Sequence, residues 1–406
     1  MYKKNLFLQT FFILLALFSV FKLYDNANNL DAWQFGEWLI NYQNGFVRRG
    51  LIGELIYLFS NIFNNNIKAS FLIVLSIFVI FYYFLNFQIT KNLKLNFINY
   101  FIIFSPLLYL FFVVISKVGV KKEIFLYIFY IYYLLQVSSK NYNLDKNWKF
   151  IFIFPLILLI HEGMYFYIPY LILPLVFIIK KEDYNKAALQ FFVFFLVSSL
   201  VEIVLYFNKG TIEHVLVICS SLAEYAPQKC EWWGPIWALS QNLSDDQSGN
   251  LTSESLWFYL NVDTKTYIGF ITYLVYAFLP LYLALRFMVI KKRKKFRNKI
   301  TFYYIVLFSF IFSLPIFHLT HDWSRWFSIH FHLLVFNLFY LQNMKLVKFE
   351  SSFLKHFDTQ ILKKKFKNIL LVILFVYGTF LHHHHFFFKG VRLEFTYYKI
   401  FSKIFK

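Results

Sequence analysis

Apolar runs long enough to cross a lipid bilayer recur along the whole chain, and they constrain its fold more than any other feature. They lie at about 6–20, 69–88, 97–116, 124–138, 150–160, 164–179, 187–207, 266–289, 300–317, 327–343 and 368–384. A helix needs roughly 20 apolar residues to span about 30 Å of hydrocarbon, and these runs lack the alternation of half-buried strands. With 59% hydrophobic and only 15% charged residues, a water-soluble fold would expose large apolar patches. The expected fold is therefore all-α: a polytopic membrane protein of about eleven transmembrane helices, with residues 1–406 forming one membrane domain. Gly and Pro are scarce enough to leave no linker, and no repeat at a fixed period is visible.

The formal charge of +20 would suggest a polyanionic partner if the cations were spread over a soluble surface. Instead the cluster Lys291–Lys299 directly follows an apolar run, as do Lys180 and Lys181. Lys and Arg in such places mark the cytoplasmic side of a membrane protein and touch anionic lipid headgroups. No nucleic-acid recognition module accompanies them, so nucleic acid is not an expected partner. Lys3 and Lys4 precede the first run, and no A-x-A-like cleavage site follows it, so an uncleaved first helix with a cytoplasmic N-terminus is expected. Crossing at every run then puts Lys91 and Lys94, Lys140, Lys146 and Lys149, Lys186, the 291–299 cluster and Lys345–Lys367 on the cytoplasmic side. The aromatic, basic tail Phe387–Lys406 falls on the opposite side.

Two stretches need separate treatment. Runs 150–160 and 164–179 are each short for a crossing, and His161-Glu162-Gly163 lies between them. A tight hairpin with its polar tip sunk below the outer surface accounts for this. One long kinked helix is the alternative, but it would put Lys291–Lys299 outside, so the hairpin is expected. Residues 32–63 are apolar and aromatic but broken by charges. They read as one or two amphipathic helices on the outer interface, where Trp33, Trp38 and Tyr42 suit the setting.

Against this topology, four groups of polar residues break the expected pattern. Arg48 and Arg49, within Asn44-Gly-Phe-Val-Arg-Arg-Gly-Leu-Ile-Gly-Glu54, are adjacent cations on the side where cations are disfavoured. Guanidinium groups grip phosphate oxygens bidentately, and Gly45, Gly50 and Gly53 permit close backbone approach; snorkelling or pairing with Glu54 is the plainer account. Lys121 and Lys122 begin a helix after a very short turn, where backbone N–H groups also favour an anion; a helix-end salt bridge is the alternative. At the hairpin tip, Glu162 and His161 could share a proton, which suits acid/base chemistry, or simply close the tip by a hydrogen bond. In His318-Leu-Thr-His-Asp-Trp-Ser-Arg-Trp326, helical spacing puts His318, Asp322 and Arg325 roughly on one face with His321 beside them. Asp322 is a second possible base and Arg325 a third anion ligand. Two His and one Asp without a fixed motif are too little to expect a metal, and no cofactor is expected.

The long non-cytoplasmic loop at 208–263 carries carboxylates beside Trp232, Trp233, Trp237 and Trp257. Aromatic faces next to carboxylates hold sugars, although they also pack ordinary loops. Cys219 and Cys230, both in this loop, are expected to pair in an oxidising compartment. The run His382–His385 follows an apolar stretch with no second ligand group and suggests no site.

The outer cations require an anionic ligand, and a membrane setting favours a lipid-linked one. A polyprenyl-diphosphate glycan fits, because its diphosphate needs Arg and Lys, its lipid a gap between helices and its sugar the aromatic loop. In this plan, and in Asn44-Gly-Phe-Val-Arg-Arg-Gly, His161-Glu-Gly and Asp322-Trp-Ser-Arg-Trp, the chain resembles Wzy-type O-antigen and capsule polymerases and, more broadly, polytopic GT-C glycosyltransferases. Asp25 and Asp31 stand where many GT-C enzymes carry an acidic base, without the Asp-Glu or Glu-x-Asp pattern. The resemblance implies a bacterial inner-membrane enzyme with a periplasmic site that joins undecaprenyl-diphosphate-linked repeat units, among other polysaccharide-assembly membrane proteins. Arg48, Arg49 and Arg325, helped by Lys121 and Lys122, would hold diphosphate. Glu162 or Asp322 would be the base, with His161 or His321 shaping its proton, and Trp232 and Trp233 would meet the sugar. Rival readings are a GT-C enzyme adding one sugar from a polyprenyl-phosphate donor, a flippase, and an acyl- or phosphotransferase centred on His321-Asp322. For the flippase, Glu202 is the clearest mid-helix charge.

Overall fold

The computed structural model describes residues 2–29, 35–114, 120–139, 142–179, 183–222, 234–240, 264–291, 299–319, 323–361, 363–382 and 394–395. Among them run α1 (Tyr2–Asn29), α2 (Leu51–Ile62), α3 (Ile67–Thr90), α4 (Phe97–Ile103), α5 (Phe111–Val114), α6 (Glu123–Val137), α7 (Trp148–Ile160), α8 (Ile172–Ile178), α9 (Tyr184–Phe207) and α10 (Ile212–Ser221). The series continues with α11 (Thr264–Phe287), α12 (Lys299–Leu319), α13 (Trp323–Asn343), α14 (Ser352–Ile361) and α15 (Lys364–Phe380). Strands among the described residues form two antiparallel ribbons, β1 (Met288–Ile290) with β2 (Val347–Phe349) and β3 (Leu381–His382) with β4 (Glu394–Phe395).

Among the described residues, five helical segments are long and apolar enough to cross a bilayer: Leu6–Asp25, Ile67–Thr90, Tyr184–Phe207, Tyr267–Phe287 and Lys299–Phe317. By the length and composition of its helices the chain is a helical membrane protein. These five coincide with five of the eleven expected crossings.

The chain forms two compact units, one of residues 1–11, 86–118 and 254–406, the other of residues 12–85 and 119–253. The first is organised around α13, which is buried from Ser324 to Leu341 apart from Phe327 and packs against α11 and α12. Its polar groups are met locally: His330 Nε2 lies 2.8 Å from Ser313 Oγ, and His332 Nδ1 lies 2.8 Å from the Ser328 carbonyl. The expected continuous helix at 97–116 is broken here. Pro106 has no N–H to donate and disfavours the helical region for Ser105, so α4 ends at Ile103. Ser105 fills the gap, donating to the Ala277 carbonyl at 2.9 Å and accepting from the Leu107 N–H at 3.3 Å.

In the second unit, Tyr133 of α6 reveals the path of residues 148–178. Its ring lies 5.0 Å from that of Phe150, near the start of α7, while its hydroxyl donates to the Leu171 carbonyl at 3.1 Å. In one straight helix those two residues would lie about 30 Å apart. The chain therefore turns back after α7, at extended His161, and returns as a 3₁₀ helix, Glu162–Leu171, before α8. α9 runs beside both arms: Phe194 packs on Phe154 at 5.0 Å and Ser199 Oγ meets the Tyr165 hydroxyl at 2.9 Å. Ahead of the hairpin, α2 packs on α7 and starts at a crowded point. A Cβ on Gly53 would lie 1.9 Å from the Ile40 carbonyl oxygen, and one on Gly50 would enter the Tyr42 ring. Both glycines serve contact with the chain's own segment 39–42.

Candidate functional site

The tip of the hairpin gathers charges from three parts of the second unit: the tip itself, the 48–49 turn and the start of α6. His161 leaves α7 in extended conformation, and its Nδ1 accepts the Gly163 N–H at 3.1 Å, capping the returning 3₁₀ helix. Glu162 Oε2 stands 4.0 Å from the imidazole Nδ1, beyond hydrogen-bonding distance. Glu162 meets Arg49 instead. Arg49 Nε donates to both carboxylate oxygens at 2.8 and 2.9 Å, and Nη2 donates to Oε1 at 2.5 Å. This is the bidentate geometry that makes arginine–carboxylate pairs strong.

Arg49 has φ +66°, a left-handed conformation that costs a non-glycine residue roughly 1–2 kcal/mol. Two contacts offset this: the Glu162 pair holds the side chain, and fully buried Lys122, just before α6, donates from Nζ to the Arg49 carbonyl at 3.0 Å. Strain held in place by surrounding contacts is a recurrent mark of functional turns. The next-door backbone is fixed too, because the Arg48 N–H donates to the carbonyl of Asn208, which caps the C-terminal end of α9.

Arg48 is much less satisfied. Its Nη1 stands 3.8 Å from Glu162 Oε1, and its Nε is buried with no hydrogen-bond partner. Tyr42, whose ring lies against Gly50, likewise has a buried hydroxyl without a partner. Burial, with the charge of Glu54 adding to it, pushes that hydroxyl up to about 12, so it remains a neutral donor. Two guanidinium groups, Arg48 and Arg49, thus face one carboxylate, Lys122 holds the Arg49 carbonyl behind them, and the Arg48 Nε and the Tyr42 hydroxyl are left over.

Burial on its own would raise the Glu162 carboxyl. The charge and hydrogen bonds of Arg49, followed by His161 and then Arg48, outweigh burial and hold it well below the usual carboxylate range. Glu162 is therefore an ionised anchor with both oxygens occupied, which suits it poorly to taking up a proton near neutrality.

Lys121, expected among the anion ligands, points elsewhere. It pairs with Glu37 at 2.9 Å, and the two side chains are only 5% and 6% exposed. Glu54 does not pair with the arginines; it accepts from the Tyr42 N–H at 2.8 Å and from Gln43 Nε2. Arg325 belongs to the first unit, where it is buried with its guanidinium 5.1 Å from the Trp326 ring. His321, Asp322, Trp232, Trp233 and Cys230 lie outside the described residues. Cys219, on α10, is disulfide-bonded. Among the described residues no three His, Cys, Asp or Glu side chains gather to hold a metal ion.

Sequence reasoning missed two partners. Glu37 carries one signal, a lone carboxylate inside an apolar, aromatic stretch. The pairing of Arg49 with Glu162 joins residues 113 positions apart and has no local signal. No protein-family model, curated protein or solved structure matches the chain.

Proposed function

We propose that the protein is a membrane glycosyltransferase of the polymerase kind, joining undecaprenyl-diphosphate-linked oligosaccharide repeat units, and that the Arg48–Arg49 turn binds the diphosphate. One observation carries this reading: the buried, unpartnered Nε of Arg48, beside a second guanidinium already fixed by Glu162. A buried donor left unmet costs about 1–3 kcal/mol, and a phosphate oxygen satisfies it with a charge-assisted bond. The occupant's anionic part should be compact, because the cations come from one turn and one helix start. Its remainder should be apolar, because the tip lies beside a 24-residue helix apolar enough to cross a bilayer.

In this account Arg48 and the free edge of the site neutralise charge on the departing diphosphate, while Glu162 and Lys122 hold Arg49 in its strained conformation. The disulfide at Cys219 suits an oxidising compartment such as the periplasm, and so does the orientation expected from the lysines. The remaining expected crossings, beyond the five helices described, belong to the same proposal.

A strain lacking the protein tests the reading, with surface polysaccharide and its lipid-linked precursor separated on a gel. Polymerisation predicts single repeat units on the final lipid and loss of the long ladder. A flippase predicts that no repeat units reach the surface and that precursor accumulates. A normal ladder missing one sugar or acyl group would mean a modifying transferase.

A further inference from the structure

We infer that Glu202 takes the proton from the acceptor hydroxyl and that Ser198 holds that hydroxyl, so that the acceptor sugar binds against α9; this rests on the glycosyltransferase reading. The inward stripe of α9 comprises Gln190, Phe194, Ser198 and Leu205, and Glu202 stands one turn beyond Ser198. The lower part of this stripe is fully engaged. Gln190 donates to the Leu144 carbonyl and accepts from Asn147, and Phe194 packs on Phe154. The upper part is not. Ser198 is fully buried and its hydroxyl has no partner, and Glu202 Oε1 is also buried without one.

A buried donor-acceptor beside a buried acceptor matches what a sugar hydroxyl offers, since it can donate to the carboxylate and accept from the serine. α9 packs on the returning 3₁₀ helix that begins at Glu162, and Glu202 is within electrostatic reach of Arg49 and Glu162. It lies five residues before the end of α9, or about 8 Å along the axis, deep enough for a carboxyl group to need a use. Glu162 cannot fill this role while both its oxygens accept from Arg49.

The step balances without another reactant. The acceptor oxygen attacks the anomeric carbon and forms the new glycosidic bond as its proton passes to Glu202. The bond from that carbon to the diphosphate breaks, and its electron pair leaves with the polyprenyl diphosphate beside Arg48. The proton is later lost to water.

The test uses full-length protein in lipid nanodiscs and lipid-linked glycan extracted from cells lacking the protein. Transfer is read on a gel, and binding of undecaprenyl diphosphate is titrated in parallel. Glu202→Gln should slow transfer at saturating substrate by about a hundredfold or more while leaving diphosphate affinity and melting temperature as in the wild type. Ser198→Ala should weaken use of the acceptor with a smaller effect on the maximal rate. Full transfer by Glu202→Gln overturns the inference, as does a loss of diphosphate binding as large as the loss of transfer. If that variant does not fold, Glu202→Asp carries the test: it should retain part of the activity with a displaced acidic limb in the pH profile, and an unmoved limb overturns the inference. A wild-type protein that neither binds undecaprenyl diphosphate nor extends the glycan overturns the glycosyltransferase reading, and this inference with it.

Discussion

Lys121 and Glu37 form an ion pair whose side chains are 5% and 6% exposed, whereas Arg49 and Glu162 form one whose side chains are 28% and 20% exposed. Both belong to the same unit, and the two cations flank Lys122, one by sequence and the other by its hydrogen-bonded carbonyl. The first pair is sealed, with almost no access from outside. The second stands at the end of a hairpin beside an unmet guanidinium N–H, on a strained backbone. Under the proposed function the two ion pairs serve two purposes: the sealed one holds elements together, and the open one organises a surface for the diphosphate. Sequence alone assigned Lys121 and Arg49 to the same task because burial is invisible in it.

The sealed pair should give the larger stability effect. Lys121→Met strands the Glu37 carboxylate in an apolar setting, and about 3–5 kcal/mol should be lost in denaturant unfolding of detergent-solubilised protein. The double variant Lys121→Met/Glu37→Gln should recover most of that. If the single variant is as stable as the wild type, the pair is not sealed as described.

The open pair should give a smaller loss. Arg49→Gln removes the charged hydrogen bonds to Glu162 and should cost about 1.5–3 kcal/mol by the same measurement. Its effect on diphosphate binding should exceed that of Lys121→Met in whatever protein folds. Equal effects would erase the distinction between the two pairs.

The smallest effect is in the pH dependence of the open pair. The folded-state carboxyl of Glu162 is held below its unfolded value of roughly 4.3. Its contribution is therefore fully present above that value and is lost as pH falls through the lower folded one. The stability difference between wild type and Glu162→Gln should be flat from about pH 8 to about pH 5 and shrink only below about pH 4. A difference that already fades near pH 6 would mean that Glu162 titrates close to neutrality and could serve as a base.

Much of the architecture was legible in the sequence where local chemistry decides it. The two short runs around His161-Glu162-Gly163 pointed to a turn, and the chain does double back there, because a polar tip separates two arms that are each short for a crossing. The break at Ser105-Pro106 was overlooked because an uninterrupted apolar run outweighs one proline on composition alone. The arginines stood out because the topology expected from the lysines puts them on the side where cations are disfavoured. Their partner did not, since the nearest carboxylate in sequence, Glu54, is drawn to the Tyr42 N–H and Gln43 by the tight start of α2. Glu202 was visible as a charge within a span, but its missing partner is a property of packing, which spacing does not encode.

The most direct test of the central claim is the affinity of purified wild-type and Arg48→Gln protein in nanodiscs for undecaprenyl diphosphate, with melting temperatures measured alongside. The account predicts binding by the wild type and at least about tenfold weaker binding by Arg48→Gln at an unchanged melting temperature, as expected for loss of one charge-assisted bond. Equal affinity in the two proteins, or no binding by the wild type, would contradict it.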